Sequence, residues 1–323
     1  MLAIQAARTG GPEVLEAVDL PIPTPGTGEV LVRHEAIGLN FIDTYHRSGL
    51  YPMKMPMVLG LEGAGVVEAV GEGVTRFAIG DRIAYGNGPT GAYAAFHVVR
   101  ADRAVTIPEG VDSRSAAAAM LKGMTAEFLI RRCYPVQSSD WILVHAAAGG
   151  VGSILTQWGR AIGARVIATV GSADKAALAE RDGAEAVILY RDEDVPARVK
   201  ALTAGQGVRV VYDGVGKDTL TASLDSLGRR GMLVSYGNAS GPAPALAPLE
   251  LQRRGSLFLT RPTLFDYITT VEELDDSAGA LFAMIASGKV KIEIGQTFPL
   301  AQARQAHQAL EARATTGSTL LIP

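Results

Sequence analysis

The strongest constraint on this chain is a rhythm in its middle third, where short apolar runs alternate with helical stretches. Trp141-Ile142-Leu143-Val144 opens the series and ends in a glycine loop. A helical stretch over 150–162 follows, then Arg165-Val166-Ile167-Ala168-Thr169-Val170, a helix from about Ala173, and Ala186-Val187-Ile188-Leu189. Further helices lead to Val208-Arg209-Val210-Val211-Tyr212 and to Met232-Leu233-Val234-Ser235-Tyr236. Ser256-Leu257-Phe258-Leu259-Thr260 completes the set. Runs this short and this rich in β-branched residues, separated by helices, form βαβ units around a parallel sheet buried on both faces. Six runs match a doubly wound α/β domain of the Rossmann type.

The loop after the first run carries the chemistry. In Ala146-Ala147-Ala148-Gly149-Gly150-Val151-Gly152, Gly149 and Gly150 allow a sharp turn and a close approach to a pyrophosphate. Gly152 lets the helix pack tightly on the strand. The helix N-terminus then presents free N–H groups and a partial positive charge to phosphate. The second run selects the dinucleotide. A site for NAD ends this strand with a carboxylate for the ribose 2′-hydroxyl. Here it ends in Val170-Gly171-Ser172-Ala173-Asp174-Lys175. Gly171 and Ser172 leave room, and Lys175 brings a cation within one helical turn. Tyr190 ends the third run and can flank the adenosine phosphate. The pattern favours NADPH over NADH. Asp174 is the counter-indication, and it also suits the first turn of a helix, where the dipole stabilises a carboxylate.

The flanking regions differ. The first third is Gly- and Pro-rich with short β-like runs such as Val30–Arg33 and Gly65–Val70, and no long helical pattern precedes Asp112. After Pro262 a helix over about Val271–Ser287 precedes a short strand near Lys291–Ile294, a helix over about Ala301–Ala312, and a closing strand at Ser318–Ile322. The tail has no glycine loop and is expected to return to the first domain. The resulting division is 1–122, 123–261 and 262–323. With 323 residues, two domains are expected. A net charge of −3 without a basic cluster argues against a nucleic-acid surface. No stretch reaches the ~18 apolar residues of a membrane helix, and the N-terminus has no signal-peptide h-region. The single cysteine, Cys133, cannot form an internal disulfide or a multi-cysteine metal lobe. It reads as a small buried hydrophobe in a reduced, cytoplasmic protein.

Three stretches then carry a family resemblance. Asn40-Phe41-Ile42-Asp43-Thr44-Tyr45 with Ser48-Gly49-Leu50-Tyr51-Pro52, the loop His145–Gly152, and Tyr236-Gly237-Asn238-Ala239-Ser240-Gly241 resemble the quinone oxidoreductase (zeta-crystallin-like) branch of the medium-chain dehydrogenases/reductases. The ending Arg313-Ala314-Thr315-Thr316-Gly317-Ser318 is similar too. Zinc dehydrogenases of that superfamily carry a Gly-His-Glu motif. This chain reads Gly60-Leu61-Glu62, and Ile37–Asp43 supplies no cysteine ligand. A zinc site needs about three or four converging N, S or O ligands, so no metal is expected. The scattered histidines are expected to be structural or solvated. His34 and His97 lie in β-like runs, His145 ends a strand, His46 follows a tyrosine in a loop, and His307 is on a helix.

The resemblance implies a GroES-like β-barrel catalytic domain beside the Rossmann domain. It implies that Asn40 and Tyr45 lie near the nicotinamide, that Tyr51 lines the substrate cleft, and that Phe128 contacts the cofactor. Gly150 and Val151 would touch the pyrophosphate. Gly171, Ser172, Lys175 and Tyr190 would enclose the 2′-phosphate. Val215, Gly237, Asn238, Ala239 and Ser240 would run along the dinucleotide. Arg261, Pro262, Thr263 and Leu264 would lie beside the nicotinamide, with Arg313 reaching in from the tail. Tyr45 or Tyr51 would hydrogen-bond a quinone oxygen, the proton coming finally from water. A homodimer joined by sheet edges near Ser256–Thr260 is implied as well. The alternatives are an NADPH-dependent enone or enoyl reductase and a non-catalytic protein that binds NADPH or, against its acidic balance, RNA.

Overall fold

The computed structural model describes all 323 residues, which separate into two compact units. The first comprises residues 1–124, 268–286 and 292–323, and the second comprises 125–267 and 287–291.

The first unit begins with strands β1 (Leu2–Ala6), β2 (Leu15–Asp19) and β3 (Glu29–Leu39), followed by helix α1 (Phe41–Ser48). Strands β4 (Met57–Val58), β5 (Glu62–Val70), β6 (Arg82–Tyr85), β7 (Phe96–Arg100) and β8 (Val105–Thr106) come next, then helix α2 (Ser113–Phe128). The second unit is a strand–helix series: β9 (Trp141–Val144), α3 (Gly150–Ile162), β10 (Arg165–Val170), α4 (Ala173–Asp182), β11 (Ala186–Leu189), α5 (Val195–Leu202), β12 (Val208–Asp213), α6 (Leu220–Ser226), β13 (Leu227–Ser235), α7 (Pro248–Arg253) and β14 (Phe258–Thr260). Helix α8 (Val271–Ala286), strand β15 (Ile294–Pro299), helix α9 (Ala303–Glu311) and strand β16 (Ser318–Ile322) close the first unit.

In the second unit all six strands are parallel, in the order β11-β10-β9-β12-β13-β14. The order reverses between β9 and β12, and ligands of such sheets lie outside the strands' carboxyl ends at this switch. The unit's core gathers Leu143, Ile167, Ile188, Val211 and Leu233 from five adjacent strands. Both faces of the sheet are buried, which is why these runs are apolar without alternation. The parallel six-stranded sheet agrees with the expected doubly wound domain.

The first unit is built around β3, which is long enough to pair with three partners. β5 runs antiparallel along one edge, while β7 takes the first half of the other edge and β16 its end, with Thr319 opposite Leu39. That register delivers the C-terminal tail to the end of β3, where Asn40 stands. A separate sheet is ordered β2-β1-β4.

Four boundaries differ from the sequence reading. His46 is not in a loop but in the short helix α1, which starts where the Asp43 carboxylate accepts the Asn40 N–H at 2.9 Å and stops at left-handed Gly49. The strand expected near Lys291–Ile294 lies instead at Ile294–Pro299, because pairing with β16 runs from Ile294–Ser318 to Pro299–Ile322. The last strand of the parallel sheet begins at Phe258 rather than Ser256, since Gly255 and Ser256 both take left-handed φ values of 102° and 59°. The helix expected over 301–312 is a 3-10 turn at Leu300–Gln302 followed by α9. No helix is long and apolar enough to cross a membrane.

Candidate active site

The expected nucleotide residues of the second unit share one feature: almost all directly follow the carboxyl end of a parallel strand. Gly150 and Val151 open α3 after β9. Gly171 and Ser172 follow β10, and Tyr190 follows β11. Val215 follows β12, Gly237–Ser240 follow β13, and Arg261–Leu264 follow β14. Lys175 is one turn into α4. The parallel topology alone brings these segments, distant in sequence, to one edge of the sheet.

Local contacts make the first loop specific. Ala146 takes a left-handed φ of 51°, and the Gly149 N–H donates to its carbonyl at 2.9 Å. A Cβ on Gly152 would overlap the Ala146 carbonyl oxygen and stand 2.8 Å from Ala147 Cα. The helix therefore begins hard against the loop, and its first N–H groups have no carbonyl ahead of them. At the next tip, a Cβ on Gly171 would lie 2.6 Å from the Tyr190 hydroxyl oxygen, so only glycine leaves the ring its place. Ser172 is the N-cap of α4 with its hydroxyl unused in capping.

The β12 and β13 loops fasten to each other. Ser240 N donates to Val215 O at 2.8 Å and Ala239 N to Gly214 O at 3.2 Å. Asp213 anchors the first of them, accepting from the backbone N–H groups of Val215 (2.8 Å) and Gly216 (3.0 Å) and from the hydroxyls of Thr219 and Ser223. Ser223 in turn accepts from the buried His145 ring at 3.0 Å, whose other nitrogen faces Thr169 at 2.8 Å. Arg261 donates to Ser235 O at 3.0 Å. Leu264 is buried, and Phe128 is only 1% exposed, its ring stacked on Tyr267 at 4.4 Å.

In the first unit, Asn40, Tyr45 and Tyr51 cluster around α1. The Tyr45 and Tyr51 rings meet edge to face at 5.3 Å, and Tyr51 N donates to Tyr45 O. His46 is buried beside Tyr51, and its Nδ1 has no hydrogen-bond partner. Burial holds its pKa below the usual histidine value, so the ring is neutral. Arg313 lies exposed between α9 and β16 in a left-handed conformation, φ 57°.

Two buried polar clusters around α1 were missed in the sequence. Glu62, fully buried, accepts from Asn40 Nδ2 at 2.8 Å, from Lys122 Nζ at 2.8 Å and from Leu121 N at 2.6 Å. A Cβ on Gly38 would overlap this carboxylate, so glycine there admits it. The second cluster is a directional chain. Arg47 Nη1 donates to His307 Nδ1 (2.9 Å), so His307 Nε2–H donates to Tyr93 Oη (3.0 Å), and the Tyr93 hydroxyl donates to Asp43 Oδ2 (2.9 Å). Burial raises the Asp43 carboxyl to about 7 against the lowering effect of the Asn40 N–H and Tyr93 hydroxyl, and burial lowers His307 to about 3. The signals available were charged residues inside apolar context, above all Lys122 in Ala116–Met124.

No group of three or more His, Cys, Asp or Glu side chains could hold a metal ion. Leu61, in the stretch matched to the zinc motif, is buried.

Comparison with known proteins places this architecture. Residues 26–109 match the alcohol dehydrogenase GroES-like domain, and residues 150–279 match the family described as zinc-binding dehydrogenase. A quinone oxidoreductase of Pseudomonas aeruginosa is 53% identical over 321 residues, covering 99% of each chain. The crystal structure of Escherichia coli quinone oxidoreductase complexed with NADPH superposes with a TM-score of 0.98 at 48% identity, covering all of both chains. A 2-haloacrylate reductase of Burkholderia sp is 41% identical over 330 residues, covering 100% of this chain and 99% of its own. With relatives this similar along its full length, the chain belongs to the quinone oxidoreductase family of the medium-chain dehydrogenases/reductases.

Proposed function

We propose that this protein is an NADPH-dependent quinone reductase that works without a metal ion. The observation that carries the reading is the row of strand tips in the second unit: a glycine-opened helix N-terminus after β9, and after β10 a glycine, a free-capping serine and Lys175 where a carboxylate would select NAD. The NADPH complex of the Escherichia coli relative supports the choice of nucleotide. Gly150 and Val151 hold the pyrophosphate, while Gly171, Ser172, Lys175 and Tyr190 hold the 2′-phosphate. Val215, Gly237–Ser240, Arg261–Thr263 and Arg313 complete the cofactor's contacts. Bound there, NADPH supplies a hydride to the quinone.

The chain's own part is positioning. Reduction of a quinone yields an aromatic hydroquinone, so orientation of the partners provides most of the needed acceleration. Asn40 faces the nicotinamide and is fixed by Glu62. Tyr45 or Tyr51 donates a hydrogen bond to a quinone oxygen, their mutual ring packing setting its direction. The donor set supports independence from metal, because Leu61 cannot ligate and no three His, Cys, Asp or Glu side chains gather where an ion could be held. The protein acts as a homodimer in the reduced cytoplasm, joined through β14. A second reading, hydride delivery to an activated C=C bond, is favoured by the similarity to 2-haloacrylate reductase.

Steady-state oxidation of NADPH and NADH over a panel of quinones and α,β-unsaturated acids, with and without chelator, tests the proposal. NADPH is expected to be preferred, quinones to exceed the C=C substrates, and chelator to change nothing. Lys175→Ala should cut the preference for NADPH by about tenfold to a hundredfold, since a hydrogen bond to a charged group is worth roughly 1.5–3 kcal/mol. Equal use of NADH, or activity restored only by added zinc, would overturn it.

A further inference from the structure

The geometry points to Lys122 as a catalytic residue: its ammonium group receives the oxyanion of the reduced quinone and gives it the proton that completes the hydroquinone. This inference rests on the quinone reductase reading and adds a proton donor to it.

Three observations carry it. First, Lys122 is a deeply placed cation, its side chain 8% exposed, on a helix otherwise apolar around it. Lysine is almost never this buried unless paired. Its partner is Glu62, fully buried and reached at 2.8 Å. Second, that single bond uses one of the three ammonium donors. The other two have no acceptor among the side chains and backbone around Nζ. A buried cation with two unused donors is a preorganised receptor for negative charge. Third, the same Glu62 Oε2 also holds Asn40 Nδ2 at 2.8 Å. Ammonium and amide are therefore immediate neighbours, and the residue proposed to face the nicotinamide and the cation stand on one oxygen.

The charges and titratable groups around the pair are few. Asp43 and the hydroxyls of Tyr85 and Tyr93 feel the Glu62 charge, and Asp43 also feels Lys122. Burial keeps both hydroxyls protonated, their pKa values well above 10. Lys122 is the one cation bonded to the carboxylate that fixes Asn40.

The step balances simply. A quinone that has gained a hydride equivalent from the reduced nicotinamide is a hydroquinone monoanion, its charge on one aryloxide oxygen. Lys122 donates a hydrogen bond to that oxygen. The Nζ–H bond breaks and an O–H bond forms, leaving hydroquinone and a neutral amine. The amine takes its proton back from water. No further oxidant or reductant enters.

The test has two readouts, one of which needs no turnover. 4-Nitrophenol mimics the aryloxide, and its ionised form is coloured. Titrated with the full-length protein, the bound probe is expected to ionise about one pH unit or more below the free probe, an effect that quinone substrates compete away. Lys122→Met should abolish the shift and lower quinone turnover by about a hundredfold, as loss of an oxyanion donor does. The loss should be greatest for electron-rich quinones, whose aryloxides are most basic. Lys122→Arg keeps the charge and should keep most of the probe shift. Because Lys122→Met strands a buried carboxylate, the pair variant Glu62→Gln with Lys122→Met is measured beside it, and it should fold, bind NADPH and still lack the shift. An unshifted probe in the wild type, or a shift and turnover in the pair variant within twofold of wild type, overturns the role of Lys122. If the wild type binds the phenolate through Lys122 yet reduces no quinone, the quinone reductase reading falls and the oxyanion site stands.

Discussion

A methyl group is enough to separate the two kinds of glycine in this chain. At Gly152 a Cβ would overlap the carbonyl oxygen of Ala146, itself held left-handed. Neither partner is a flexible side-chain end, so the helix must move off its strand. Gly152→Ala is expected to cost about 1–3 kcal/mol, the usual range for overpacking, and to weaken NADPH binding because the helix N-terminus shifts with it. Urea unfolding and a fluorescence titration with NADPH measure the two effects. At Gly279, exposed in the middle of α8, a Cβ would meet nothing within 4 Å. Gly279→Ala should stabilise by about 0.4–1 kcal/mol through the unfolded state. Equal effects at the two sites would refute this account. The strand-tip residues were legible because each sits in a local pattern of strand, turn and helix. Glu62 with Lys122, and Asp43 with Tyr93, His307 and Arg47, were not. Their partners lie 50 to 260 residues apart in the chain, and no local periodicity encodes a contact across such a distance.

At the level of elements, what could be read depended on length and repetition. Most helices and strands of the βα series were placed to within a residue or two, because each apolar run is flanked by a breaker; the exception is β13, read from Met232 but beginning at Leu227, since Gly228, Arg229, Arg230 and Gly231 interrupt its apolar run. The eight-residue α1 was lost, since it is too short for a helical period to show. Its only advance notice is an Asn at the cap with an Asp three residues on, a variant of the usual capping signal. β15 was displaced because its sequence, Ile294–Pro299, alternates weakly and contains glycine and proline. β14 is the element with consequences beyond the fold. It ends the parallel sheet, pairing only with β13. Phe258 is 56% and Leu259 41% exposed. A bare edge with large apolar side chains is a liability unless another chain covers it. We expect the wild type to sediment at twice the monomer mass of 33.8 kDa, and Phe258→Asp combined with Leu259→Asp to sediment as a monomer with an intact far-ultraviolet spectrum. A monomeric wild type would rule out the β14 interface.

For the molecule as a whole, the buried polar groups set how stability responds to acid. Burial and neighbouring charge hold His34 and His307 near 3, below the ordinary histidine value of 6.5, while burial lifts Asp43 to about 7. The two histidines bind protons in the unfolded chain below pH 6.5 but stay neutral in the folded one until about pH 3, so each destabilises the fold as the pH drops through that window. Asp43 acts in the opposite sense. Folded, it holds its proton up to about pH 7, while unfolded it releases it above 3.8, so its contribution improves on acidification. Near pH 5 the unfolded state thus binds two protons at these histidines and a third at His97, which burial holds at about 4 in the fold, while the folded state holds one at Asp43. The net uptake of two protons corresponds to a loss of about 2.7 kcal/mol per pH unit lowered. His145, also lowered by burial, adds to the loss. Asp43→Asn keeps an oxygen for the Tyr93 hydroxyl but removes the opposing proton, so its slope should rise by about half. Urea unfolding of both proteins at half-unit steps from pH 4.5 to 6.5 gives the slopes directly. Parallel lines would mean that Asp43 is already ionised within the fold at pH 5, and that the chain of hydrogen bonds from Arg47 through His307 and Tyr93 stabilises its charge more than burial opposes it.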